Sequence, residues 1–277
     1  PWVDEVRGKD QGLQNNKHLR LTKGIHLVFS QQDFPLQQAV YFDTKTDQRM
    51  IFAVPRDGKT YVGTTDTLYE SDKANPVATA QDRDYILAAI KEMFPTLELT
   101  EDQIESSWAG IRPLIWEEGK NPSEISRKDE VWESGSGLLT IAGGKLTGYR
   151  HMAEEIVDRL SQLLKRDYAL NFLACETKKQ PISGGEFEDE NHFTDYIAQQ
   201  KVHGLSLGLT VEESHFLARY YGTNSAIIFA HFAKHYRDYD SQVLAEKGIS
   251  RLTALRLWYA LEYEAVIFPD DFLIRRT

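Results

Sequence analysis

Three cations stand where charge is hard to hold without a partner. Arg112 lies in Trp108-Ala109-Gly110-Ile111-Arg112-Pro113-Leu114, Arg127 follows Pro122-Ser123-Glu124-Ile125-Ser126, and Lys145 follows two glycines. A cation framed by glycine, proline and apolar residues is expensive to bury unless an anion meets it. Guanidinium forks match carboxylate or phosphate oxygens, so one reading is a site for an anionic small molecule. The other pairs each cation with a nearby acid, for which Glu117, Glu118, Glu124 and Asp129 are available. The residues alone leave both readings open.

The run Leu139-Thr140-Ile141-Ala142-Gly143-Gly144-Lys145-Leu146-Thr147-Gly148-Tyr149-Arg150 has the form of strand, tight glycine turn and helix. Such a turn offers bare main-chain N–H groups and a helix N-terminus to an anionic or electron-rich group. Gly143 and Gly144 admit a close approach that a Cβ would block. An ordinary strand-to-helix turn with a solvated Lys145 fits the same pattern.

Other chemical signals fail on inspection. Gly58-Lys59-Thr60 resembles the end of a phosphate loop, but Ala53 stands where the first glycine belongs, so a hairpin turn is expected. His231 and His235 have the i, i+4 spacing of metal ligands. Phe232 occupies the place of a zinc protease's glutamate, so both are read as packed or surface histidines and no metal is assigned. The acids from Glu186 to Glu190 lack the alternation and glycine of a calcium loop and read as a solvated linker. No G-x-G-x-x-G dinucleotide turn occurs.

The elements that would position these residues come in two textures. Short β-branched and aromatic runs at 25–29, 38–42, 50–54 and 60–63 predict strands, with Asp57-Gly58 closing a hairpin. Thr79 caps a predicted helix to Phe94 that turns Ile86, Ala89, Ile90 and Met93 to one face, and Pro95 stops it. Thr100 with Gln103 forms a capping box for a short helix. Strand character returns beyond Trp108 and again over Gly137 to Ala142. The helix after Gly148 carries Met152, Ile156, Leu160 and Leu163 as a core-facing stripe. After a glycine-and-acid linker at 182–190, helices are expected over 194–203, 210–221, 225–236 and 250–268, with Gly222 and Pro269 as stops. The fold class is mixed α/β (α+β) to about residue 170, then a helical C-terminal domain.

Composition narrows the function classes. A net charge of −10 argues against a nucleic-acid surface. No apolar run approaches the roughly 18 residues of a membrane span. The single cysteine, Cys175, fits a reducing compartment, and its apolar neighbours predict a buried structural thiol. A chain of 277 residues that opens on Pro1-Trp2 and closes on Arg276-Thr277 suggests an excised piece.

Taken in order, several motifs resemble one family. Lys23-Gly24-Ile25-His26-Leu27-Val28, Gly63-Thr64-Thr65-Asp66, Trp108 to Leu114, Ile125-Ser126-Arg127, Gly143 to Arg150 and Phe268 to Thr277 are together similar to the FAD-dependent, aerobic (respiratory) glycerol-3-phosphate dehydrogenases. The resemblance covers nearly the whole chain but only the C-terminal half of the family's polypeptide. It implies that residues 1–24 and 108–169 belong to an FAD-binding domain, 25–107 to an antiparallel-sheet substrate (cap) domain, and 170–277 to a helical domain. The glycine-rich turn for the ADP part of FAD would lie upstream, so residues 1–277 alone are expected to be inactive.

The resemblance also implies roles. FAD would take a hydride from C2 of glycerol 3-phosphate, giving dihydroxyacetone phosphate. Arg112 would lie by the reacting hydroxyl, Arg127 would grip the phosphate, and Lys145 would sit at the flavin–substrate junction. Main chain at Gly143, Gly144, Leu146 and Thr147 would meet the flavin edge, where a helix N-terminus favours the reduced, anionic form. Electrons would pass to a membrane quinone, which implies a peripheral protein on the cytoplasmic face. A homo-oligomer is left open. Two rivals remain: an oxidase that hands electrons to oxygen, and a non-catalytic chain whose helical domain docks a partner.

Overall fold

The computed structural model describes residues 1–10, 16–117 and 128–274, so Arg127, the 122–126 segment before it and the last three residues lie outside the described residues. Two compact units divide the chain, Pro1–Cys175 and Glu176–Thr277.

In the first unit a short helix α1 (Val3–Arg7) leads into a long strand β1 (Lys17–Ser30). Strands β2 (Val40–Asp43), β3 (Met50–Arg56), β4 (Lys59–Gly63) and β5 (Thr67–Leu68) follow, then helix α2 (Ala80–Met93) and a second long strand β6 (Ile104–Glu117). The sheet runs β2-β3-β4-β1, with β5 also beside β1 and β6 along its other edge. The hairpin between β3 and β4 turns at Asp57 and Gly58, both at positive φ, and Arg56 faces Lys59 across it. Thr60 is fully buried, its hydroxyl donating to the Phe34 carbonyl at 2.7 Å, so the phosphate-loop look-alike is structural.

Alternation along β1 sends Ile25, Leu27 and Phe29 to one face. There they meet Ile51, Ala53 and Val62 from neighbouring strands and Ile86, Ala89 and Ile90 of α2 in one core. Thr79 caps α2 in a capping box with Asp82, as its sequence predicts. Met93 departs from expectation: it ends the helix and is 45% exposed, while Phe94 after it packs on Phe34 and Phe42. The Thr100–Gln103 box forms, but around a single 3₁₀ turn.

β1 and β6 pair antiparallel from Lys17↔Glu117 to Phe29↔Ile104, passing without a break through positions 24 and 108. Their far ends carry a second, small core of Leu19 and Ile115 with Ala142. Ala142 belongs to β8 (Leu139–Gly143), which pairs antiparallel with β7 (Asp129–Glu133); the strand begins at Leu139, two residues later than expected. Arg7 of α1 is buried there, its guanidinium 4.1 Å over the Trp132 ring.

Helix α3 (Tyr149–Tyr168) follows the glycine turn, but its stripe is not buried. Met152, Ile156 and Leu163 are half-buried and Leu160 is 44% exposed. Cys175 is exposed rather than buried: the strand-free segment after α3 runs over the surface with Leu173 almost wholly in solvent.

The second unit is helical: α4 (Glu190–Leu207), α5 (Val211–Tyr221), α6 (Ser225–His235), α7 (Ser241–Glu246), α8 (Arg251–Tyr263) and α9 (Pro269–Leu273). Asp189, Thr210 and Ser250 cap α4, α5 and α8. Two expectations shift. α8 ends at Tyr263, and Pro269 opens α9 at its first turn rather than closing α8, a position where its missing N–H costs nothing. The acidic linker is partly docked, since the Gly184 carbonyl accepts from Thr223 N–H at 3.0 Å and Asp189 starts α4. His231 stacks on Trp258 at 3.5 Å and its Nε2 lies 2.7 Å from the Tyr239 hydroxyl, which makes it a packed core-edge residue.

Lys23 ties β1 to α2 through Asp82 at 2.5 Å, with both side chains buried. Burial alone would push the Asp82 carboxyl up. The Lys23 ammonium and the hydroxyl and N–H of Thr79 outweigh it and hold the carboxyl below its ordinary range. A depressed carboxyl adds stability above its unfolded pKa, about 3.9, and loses it as pH falls through the lower folded value. Asp82→Asn strands a buried ammonium and should cost about 3–5 kcal/mol at neutral pH. Denaturant midpoints should show that loss, and the variant should lack the part of the wild-type acid sensitivity that begins near pH 4.

Candidate functional site

Arg112 reaches its position through strand register. Thr22↔Arg112, Gly24↔Gly110 and His26↔Trp108 pair across β1 and β6, and His26↔Gly63 across β1 and β4. Directly paired residues share a face, so these groups lie together on the side of the sheet away from α2. The glycines make room. A Cβ on Gly24 would fall 2.4 Å from Arg112 Nη2, and one on Gly63 would fall 2.4 Å from His26 Cδ2. Gly110 opposite Gly24 has nothing within 4 Å of its would-be Cβ, which leaves open floor beside the guanidinium.

The Gly63–Asp66 turn holds the Arg112 fork. Nη1 donates to the Thr65 carbonyl at 3.0 Å and to Asp66 Oδ1 at 3.2 Å, and Nη2 to Thr64 Oγ1 at 2.9 Å. Its acidic partner among the described residues is Asp66, brought across the sheet. Of the five N–H donors of a guanidinium, two have no partner among the described residues. The side chain is 34% exposed.

His26 sits next to this cation. Its ring stacks on Trp108 with centroids 4.8 Å apart, and Phe52 closes a second side at 5.5 Å. Burial first, and repulsion from Arg112 second, hold the imidazole below the ordinary histidine range, so it is neutral at pH 7. Its Nδ1 and the Thr22 hydroxyl are buried without a hydrogen-bond partner among the described residues. Two such atoms flanking Gly24 call for an explanation, and a polar ligand on this face is one.

The glycine turn forms the second part of the site. Gly143 and Gly144 have φ of 78° and 77°, and Lys145 leads into a 3₁₀ turn, Leu146–Gly148, ahead of α3. Their need for glycine is first internal: a Cβ on Gly143 would lie 2.3 Å from the Lys128 carbonyl, and one on Gly144 2.6 Å from Met152 Sδ. α3 starts with no side-chain cap and no acid in its first turn, unlike the capped α2, α4, α5 and α8. A pocket of about 680 Å³ opens here, lined by Ile111 and Pro113 of β6, Gly143, Gly144, Lys145 and Leu146, with apolar residues of α3. Apolar walls beside an uncapped helix start suit a flat, largely apolar ring with an electron-rich edge. The residues therefore fit a flavin ring. Lys145 is exposed and has no side-chain partner among the described residues, and Thr147 lies in the exposed 3₁₀ turn.

The chain thus brings Gly143, Gly144, Lys145 and Leu146 into one pocket with Ile111 and Pro113, the neighbours of Arg112, while the Arg112 fork itself is held by Thr64, Thr65 and Asp66. His26, Thr64 and Asp66 escaped the candidate set although their motifs were noted. The signal available was a histidine two residues after a glycine in an apolar strand, but only strand pairing puts it beside Arg112.

Comparison with known proteins follows the same division. The family model described as FAD dependent oxidoreductase matches residues 1–150, and that described as the C-terminal domain of alpha-glycerophosphate oxidase matches residues 175–277. The aerobic glycerol-3-phosphate dehydrogenases of Staphylococcus haemolyticus and Staphylococcus aureus (strain USA300) are 53% and 52% identical over all 277 residues. The chain spans about half of these relatives, 48% of each. The X-ray structure of the glycerol-3-phosphate dehydrogenase from Bacillus halodurans complexed with FAD superposes with a TM-score of 0.85 at 45% identity, covering 100% of this chain and 51% of that one.

The electrostatics can be read directly. NMR titration of the histidine ring protons should place His26 below about 6.5. Arg112→Gln should move that value upward by removing the repulsion while leaving the burial in place; an unmoved titration would show that the charge is not felt.

Proposed function

This chain belongs to the FAD dependent oxidoreductase family, and from that premise we propose that it carries the substrate face and flavin edge of an enzyme that oxidises sn-glycerol 3-phosphate to dihydroxyacetone phosphate. The observation that carries the reading is the pairing of a neutral His26 with a fork of Arg112 that keeps two donors unused.

Bound FAD would supply the acceptor for the hydride that leaves C2. His26 takes the proton of the C2 hydroxyl, for which a neutral imidazole is the required form. Arg112 donates to the oxygen as negative charge develops on it, and the bond closes to a carbonyl. Arg127 holds the phosphate. Lys145 would supply positive charge where cofactor and substrate meet, and the main chain of Gly143, Gly144, Leu146 and Thr147 would help hold the cofactor. Residues 1–24 and 108–169 are assigned to the FAD-binding part, 25–107 to the cap, and 170–277 to the helical domain.

The final acceptor we propose is a membrane quinone, reached by peripheral attachment at the cytoplasmic face; this rests on the resemblance. Among the described residues no helix is long and apolar enough to cross a membrane. The match of residues 175–277 to an oxidase C-terminal domain favours oxygen as a second reading. Rapid reoxidation of the reduced enzyme by air would select it.

Two substitutions in the full-length, FAD-loaded enzyme separate the roles. Arg112→Lys keeps the charge but loses the fork, and turnover should fall about 10²-fold with flavin content unchanged. Arg127→Ala should instead raise KM for glycerol 3-phosphate, by an amount on the order of 2–3 kcal/mol, with little change in kcat. Steady-state kinetics with glycerol 3-phosphate and with free glycerol check both. Normal turnover in the first variant, or glycerol matching the phosphate ester in wild type, overturns the assignment.

A further inference from the structure

The turn that holds Arg112 is itself gripped from behind. Arg49 donates through Nη1 to the Asp66 carbonyl at 2.5 Å and pairs with Asp47 at 3.1 Å. The Thr65 hydroxyl donates to the Lys23 carbonyl at 3.3 Å and accepts from Ile25 N–H at 3.1 Å, stapling the same turn to β1. Asp66 is therefore held by two arginines, its carboxylate by Arg112 and its main chain by Arg49.

We propose that Asp66 is a positioning residue for Arg112, anchored by Arg49, and that its carboxylate sets both the direction of the guanidinium fork and the charge the fork presents to the reacting oxygen. This rests on the reading of Arg112 as the group beside that oxygen. The other two acceptors, the Thr65 carbonyl and the Thr64 hydroxyl, are neutral, so the charge-assisted contact is the one to Asp66. It also decides which donors remain. With Nη1 spent on the turn and Nη2 half spent on Thr64, the fork can offer only Nε–H and the second Nη2–H.

A purely structural ion pair would behave differently. Arg112 and Asp66 are each about one-third exposed, 34% and 32%, and pairs of that exposure contribute little to stability. Loss of Asp66 should leave the fold nearly intact while releasing the fork, and misdirection of a donor by about 1 Å is costly in rate. The charge also reaches His26. The groups packed on that ring are Trp108, Phe52 and the Gly63 backbone, and Arg112 is the charged group acting on it. Without the Asp66 carboxylate the Arg112 charge is less compensated, and the histidine cation is harder to form.

The test uses the full-length, FAD-loaded enzyme and compares wild type with Asp66→Ala, Asp66→Asn and Arg112→Lys. Asp66→Ala should lower kcat about tenfold while KM changes less than about threefold, with flavin absorbance and thermal midpoint as in wild type. Asp66→Asn keeps an acceptor oxygen and should recover most of kcat, but the acidic limb of its kcat/KM profile should move down by about half a pH unit. Wild-type kinetics and an unmoved limb in both Asp66 variants, with Arg112→Lys slow, overturn the proposal alone. Loss of flavin or of thermal stability in step with activity in both Asp66 variants assigns the residue to the fold and also overturns it. Wild-type turnover in Arg112→Lys overturns the parent reading first.

Discussion

The antiparallel pairing of β1 with β6 is the constraint on which the first unit depends. At one end Leu19 and Ile115 pack with Ala142 and so anchor the strand that feeds the glycine turn. At the other end Ile25, Leu27 and Phe29 enter the core beneath α2. Between them, alternation sets Thr22, Gly24 and His26 on one face with Arg112, Gly110 and Trp108. Side chains alternate with a period of two, so a slip of one residue would send a strand's whole set to the opposite face. The buried face specifies the register, and the register specifies the site.

Charge in this unit is compensated in three degrees, and the degree tracks what each cation is free to do. Lys23 is buried and matched at 2.5 Å by Asp82, so its charge serves the join between sheet and helix. Arg112 is partly matched by Asp66 and two neutral oxygens, which orient it without exhausting its donors. Lys145 is exposed, has no side-chain partner among the described residues, and lines an apolar pocket. Full compensation makes a cation structural; partial compensation leaves it directional and available.

The apolar stripe of α3 belongs to the same picture. It borders the pocket at the glycine turn and is only half-buried, just beyond residues 1–150 that match the FAD dependent oxidoreductase model. The helical unit stands apart in its construction. Its core of Leu217, Tyr221, Ile228, Phe229, Leu255 and Tyr259 is closed, and its helices begin mostly on side-chain caps.

The sequence by itself determined the local features whose causes are local. The Asp57-Gly58 hairpin, the caps at Thr79, Thr210 and Ser250, and the strand–glycine–helix form at residues 139–168 follow from backbone preference and short-range hydrogen bonds. The candidate cofactor turn and Arg112 were legible for the same reason, as unusual residues in a short window. Contacts between distant residues were not legible. Asp66 meets Arg112 across 46 positions, and Lys23 meets Asp82 across 59. Whether Met93 and Leu160 are covered depends on where other elements end, and Cys175 is exposed despite its apolar neighbours. Hydrophobic periodicity says which face of an element could be buried; only the folded chain decides what, if anything, comes to lie against it.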